Sequence, residues 1–135
     1  MLTRNVLLFE ANPQTRLYVK DILDYFSFNV QTAETWDEAE QHLQHGDYDV
    51  MIVDEAHVHL GHATPVRWIR ERGSDLPIII MSYMPLPELW SNCLEHDGVE
   101  LISNPFSPSE LKLMLDIVSS KRVRKGSPEL SSEQT

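Results

Sequence analysis

The chain has a single cysteine, Cys93, so no internal disulfide can form and the core must hold the fold without a covalent staple. Set among Leu89, Trp90 and Leu94, Cys93 reads as a small packing residue in a reducing compartment. No apolar run approaches the ~18 residues of a membrane-spanning helix, and the N-terminus lacks a charged stretch followed by a long apolar one. A cytoplasmic chain with no membrane partner is expected. Positive charge is also scarce: 11 Lys and Arg face 21 Asp and Glu, a net charge of −10. Phosphate contacts need clustered basic groups, so nucleic acid is not an expected partner. The basic cluster Lys121-Arg122-Val123-Arg124-Lys125 reads as a solvated junction. A length of 135 residues suits one domain with one sizeable core.

What the chain does have is a set of short apolar runs that end in polar residues. Val50-Met51-Ile52-Val53 ends at Asp54, Val6-Leu7-Leu8-Phe9 at Glu10, Ile78-Ile79-Ile80-Met81 at Ser82, and Leu101-Ile102 at Ser103-Asn104. Each run is too short for a helix and rich enough in branched residues for a buried strand. At the carboxyl ends of parallel strands, ligands and chemistry collect. Glu10, Asp54, Ser82 and Asn104 are therefore expected to converge on one site.

Helix signals alternate with these strands. Asn12-Pro13 reads as an N-cap followed by proline at the first helical position, with Leu17, Val19, Ile22, Leu23 and Phe26 as its apolar stripe. Phe28–Thr32 reads as a second, more polar strand. Thr35 and Glu38 form a capping box, and Gly46 reads as a left-handed stop. Thr64-Pro65 starts a third helix that Gly73 stops, and Pro87–His96 reads as a short fourth. Ser107-Pro108 with Glu110 starts the last helix, whose core stripe is Leu111, Met114, Leu115 and Val118. After Ser119 the composition turns charged and rich in Ser, Gly and Pro, so residues 120–135 read as a flexible tail or a truncated linker. Strands alternating with helices imply an α/β fold, a flavodoxin-like (βα)5 doubly wound parallel sheet of order 2-1-3-4-5.

These residues resemble the receiver domain of bacterial two-component response regulators over about residues 4–119, so that 1–119 forms a receiver-like domain. Asp49-Val50-Met51-Ile52-Val53-Asp54 is similar to the family's third strand, which ends in the phospho-accepting aspartate. Asn12-Pro13 and Arg16 match the start of its first helix. Pro77 through Ser82 matches its fourth strand, with Ser82 at the Ser/Thr position, and Pro105-Phe106-Ser107-Pro108-Ser109-Glu110-Leu111 matches its last helix start. The resemblance implies signal transduction by a module that is not an enzyme, with a histidine kinase or an effector protein as partner.

The departures carry their own implications. The family's acidic pair appears as Glu10-Ala11, its lysine as Asn104, and its switch aromatic as Leu101. Phosphoryl transfer to a carboxylate needs charge neutralisation around the phosphoryl oxygens. Here a Mg2+ would find Glu10, Asp54 and the backbone carbonyl of Ala56, a weak set. Two acids without the lysine disfavour adding a dianion. An atypical receiver with little or no phosphorylation of Asp54 is therefore expected, acting through protein–protein contacts. The alternative is a working phospho-acceptor that uses Asp54 and Mg2+. The expected contact face, which includes a homodimer interface, comprises Trp90 in the fourth helix, Leu101 in the fifth strand, and Leu113 and Ile117 in the last helix. Leu113 and Ile117 lie off the core stripe. A remote alternative is a zinc protein built on His57, His59 and His62, whose spacing is similar to the His-x-His-x-Asp-His of metallo-hydrolases, with Gly61 at the aspartate position.

Overall fold

A computed structural model describes residues 4–54, 65–82 and 98–126. Strands β1 (Asn5–Phe9), β2 (Asn29–Ala33), β3 (Val50–Asp54), β4 (Ile78–Ser82) and β5 (Val99–Ser103) form one sheet of order β2-β1-β3-β4-β5. Every pairing is parallel. Helices α1 (Pro13–Tyr25), α2 (Trp36–His45), α3 (Pro65–Glu71) and α4 (Pro108–Gly126) are interspersed among the strands. This is the flavodoxin-like order expected from the sequence. The expected helix Pro87–His96 lies outside the described residues.

The central strands β1, β3 and β4 are largely apolar because both faces of the sheet are covered there, whereas edge strand β2 carries Asn29, Gln31 and Thr32. Val6, Leu8, Val50, Ile52, Ile79, Met81 and Ile102 pack with Val19, Ile22 and Leu23 of α1 and Leu111, Leu115 and Val118 of α4. The alternate residues Leu7, Phe9, Met51, Val53, Ile78 and Ile80 pack with Ala39 of α2 and Val66 and Ile69 of α3. Each such fully buried side chain stabilises the fold by about 1.5–3 kcal/mol relative to exposure.

Local signals set several helix ends. The Asn12 side chain accepts hydrogen bonds from the Gln14 and Thr15 amides at 2.9 and 3.2 Å, and Pro13 follows as the first helical residue. Thr35 Oγ1 accepts from the Glu38 amide at 3.2 Å, while the Glu38 carboxylate reaches back to the Glu34 amide at 2.7 Å. At α4 the reciprocal box is complete: the Glu110 amide donates to Ser107 Oγ at 3.1 Å and the Ser107 amide to Glu110 Oε1 at 2.9 Å.

Three expectations are corrected. Gly46 has an extended backbone (φ −135), not a left-handed one. Its need is space, since a Cβ there would meet the Tyr48 ring at 3.1 Å. Strand β2 is shifted one residue towards the C-terminus, because Phe28 turns into the core after Ser27 takes a left-handed φ of 66. Leu17 is exposed rather than part of the α1 core stripe. Helical backbone continues to Gly126, beyond the composition change at Ser119. By contrast Gly73, expected to stop α3, does take a left-handed φ of 77.

Candidate functional site

Sheet register assembles the site at the carboxyl ends of the strands. Phe9 pairs with Val53, and the Glu10 amide extends the ladder to the Ala33 carbonyl at 3.1 Å, so Glu10 emerges beside Asp54. Asp54 pairs with Met81, which puts Ser82 next in line. The Asn104 amide donates to the Ser82 carbonyl at 2.7 Å, carrying Asn104 to the same edge. The four residues expected to converge from the sequence are thus placed together. Glu10 is only 5% exposed, Asp54 7% and Ser82 0%.

Two carboxyls this close and this buried cannot both ionise cheaply. The Glu10 carboxyl is raised from 4.5 to about 7, first by burial, then by the charge of Asp54 and by a hydrogen bond with its carboxyl. The Asn12 amide, which donates to Glu10 Oε2 at 3.0 Å, and the Arg16 guanidinium pull in the other direction. Arg16 is the site's cation, a role the sequence reading did not give it. Its Nη1 donates to the Glu10 carbonyl at 2.9 Å and the Ala11 carbonyl at 3.3 Å, and its Nη2 pairs with Glu34 at 3.1 Å. Arg16 could have been found from its position one helical turn past the Asn12 cap, where a long side chain returns over the turn it follows.

Ala11 is exposed and offers a methyl group where a second acid would supply oxygen. Asn104 is half-buried, and its Nδ2 is buried without a hydrogen-bond partner. An amide there brings a dipole but no charge. For a divalent cation, the chemistry of the donor set fits only in part. Glu10 and Asp54 supply two carboxyls, but the proton on Glu10 competes with the cation at neutral pH. The Ala56 carbonyl lies outside the described residues, as do His57, His59 and His62. Among the described residues no group of three or more His, Cys, Asp or Glu side chains could hold a metal. His42 and His45 sit on α2, where His45 Nδ1 is bonded to the Gln41 carbonyl oxygen at 2.8 Å.

The residues expected to form a contact face are dispersed over β5 and α4. Leu113 is 60% exposed and Ile117 41%. Leu101 on edge strand β5 is half-buried against the cluster that α2 and α3 cover, on the sheet face opposite α4. Trp90 lies outside the described residues.

A parallel five-stranded sheet of this order, with acids at its carboxyl edge, defines a flavodoxin-like fold. The chain matches the response regulator receiver domain over residues 6–116 and belongs to that family, whose members act in two-component signal transduction. Solved structures share the fold at low identity. Chemotaxis protein CheY4 of Vibrio cholerae is 23% identical, with a TM-score of 0.73 over 87% of this chain and 99% of that one. The receiver domain of sensor histidine kinase PA1611 from Pseudomonas aeruginosa, with magnesium coordinated in its active-site cleft, is 22% identical, with a TM-score of 0.71 over 88% of this chain and 99% of that one. Full-length FixJ from B. japonicum is 17% identical, with a TM-score of 0.76 over 99% of this chain and 64% of that one. Among the described residues no helix is long and apolar enough to cross a membrane.

Proposed function

We propose that this chain is an atypical receiver that transmits signals through protein–protein contacts while Asp54, at the phospho-acceptor position, takes little or no phosphoryl group. The observation that carries this reading is the pair of buried acids, Glu10 and Asp54, at a sheet edge where position 11 is alanine and position 104 an uncharged amide. A phosphoryl dianion added at Asp54 would find neither a second metal-ligating acid nor a lysine to balance its charge. Arg16 is committed to two backbone carbonyls and to Glu34. Ser82 supplies a hydroxyl at the sheet edge, which can orient an oxygen but adds no charge.

A Mg2+ bound here would be held by Glu10, Asp54 and the carbonyl of Ala56, and would supply charge neutralisation to an incoming phosphoryl group. Binding would be weak, because Glu10 must first give up its proton and Ala11 contributes no oxygen. The second reading, a working phospho-acceptor, is favoured by the adjacency of Glu10 and Asp54 alone. The module is not an enzyme in this reading. Its partners are a histidine kinase or an effector protein, and a second copy can dock through the exposed Leu113 and Ile117 on α4. It works in the cytoplasm, and residues 120–135 are a tail or linker whose first part extends α4 to Gly126.

The test is intact-mass analysis after incubation with a small-molecule phosphodonor and Mg2+. The reading expects little acyl-phosphate. Near-complete modification that disappears in Asp54→Asn would overturn it in favour of the working phospho-acceptor.

A further inference from the structure

Two surface features belong neither to the acid site nor to the α4 face. The first is a hollow of about 230 Å3 between α2 and α3, with Leu43, Ile69, Leu76 and the Trp68 ring among its walls. At its rim the Arg72 guanidinium lies 3.7 Å from the centre of the Trp68 ring and donates to the Trp68 carbonyl at 3.2 Å. Trp68 is braced in turn by Trp36, edge-on at 5.5 Å. Arg72 is exposed and pairs with no carboxylate among the described residues. A stacked guanidinium is pre-organised, and its remaining donors form a fork that matches a carboxylate. Tryptophan and arginine beside an apolar pocket are the side chains that dominate interface energetics.

The second feature is a stripe on α1. Leu17, Asp21 and Tyr25 are spaced four apart and share one side of the helix. Leu17 is 60% exposed and Tyr25 79%. Asp21 is exposed and makes no hydrogen bond or ion pair among the described residues. The stripe thus offers an aliphatic group, a free carboxylate and an aromatic ring in a row. The hollow offers an apolar pocket and a stacked guanidinium with donors to spare.

We infer that the α1 stripe of a second copy of this chain docks on the α2–α3 hollow, with Asp21 meeting Arg72 and an apolar side chain of the stripe entering the pocket. Two molecules of net charge −10 repel at large. A contact between them is favoured where a cation of one without a carboxylate partner meets an acid of the other, and Arg72 and Asp21 meet that condition. Helix α1 packs on one face of the sheet, and α2 and α3 on the other. The contact is therefore heterologous: each copy keeps one free surface of each kind, and assembly continues head to tail. An isologous contact through α4 would stop at two chains.

Sedimentation equilibrium of the whole chain over a concentration series, at low and high salt, tests this. The expected weight-average mass climbs past twice the chain's 15.6 kDa and falls back as salt screens the ion pair. Arg72→Glu alone and Asp21→Arg alone return the mass to that of one chain. The double variant carrying both regains assembly, and Leu17→Gln weakens it at unchanged charge. Thermal melts followed by circular dichroism establish that each variant is folded. A single-chain mass at all concentrations, a mass that stops at two chains, growth indifferent to the single charge reversals, or a double variant that stays at one chain would each overturn the inference.

Discussion

A carboxyl that keeps its proton to about pH 7 makes the folded state sensitive to pH in a direction opposite to that of a salt-bridged acid. The Glu10 carboxyl is raised above its ordinary 4.5, so folding takes up a proton between 4.5 and about 7. Below 4.5 the group is protonated in both states and imposes no penalty. As pH rises through about 7, the folded state alone must ionise a buried acid beside Asp54, and stability is lost. The melting temperature of the parent is expected to decline across this window, and Glu10→Gln is expected to flatten the decline. Asp54→Asn removes the facing charge and is expected to be neutral or stabilising above pH 7. A parent melt that does not change across the window, or a clear loss of stability in Asp54→Asn, would contradict this account. The proximity of two acids was legible from strand ends alone. Arg16 was not assigned to the site, although its position one turn past the Asn12 cap returns its side chain over the Glu10–Ala11 turn.

Among the elements, helix starts were legible because their chemistry is local. The Ser107–Glu110 box depends on residues three apart and forms as the sequence suggests. Ser107→Ala is expected to cost about 1 kcal/mol, read as a lower melting temperature, because two end amides of α4 lose their arrangement. An unchanged melt would show that α4 is held by packing alone. Helical phase decided the other outcomes. Leu113 and Ile117 lie across the helix from Leu111, Leu115 and Val118, and both are exposed. The same reasoning would have excluded Leu17 from the α1 core, since it lies nearly opposite Val19, Ile22, Leu23 and Phe26. Leu113→Glu is therefore expected to leave the melt unchanged while weakening partner binding in a pull-down. A variant that unfolds would assign Leu113 to the core instead. Gly46 shows a different limit: its backbone is extended, and a Cβ there would approach the Tyr48 ring at 3.1 Å, a contact no local pattern shows.

At the scale of the whole molecule, the sheet order was legible because apolar runs with polar ends recur between helical segments. Parallel pairing then brings those ends to one edge. What could not be read was how charge is shared at that edge, since this depends on register and burial together. The edge unites Glu10, Asp54, Ser82 and Asn104, with the Glu10 carboxyl raised to about 7 by its burial and Ala11 exposed. Under the proposed function, missing charge rather than a misplaced Asp54 keeps phosphorylation low. Intact mass of the Ala11→Asp, Asn104→Lys double variant beside the parent, after equal exposure to phosphodonor and Mg2+, tests it most directly. Restoring a ligand oxygen and a cation is expected to raise the Asp54-dependent acyl-phosphate well above the parent's trace. A parent modified as fully as the double variant, or a folded double variant as unreactive as the parent, would contradict the claim.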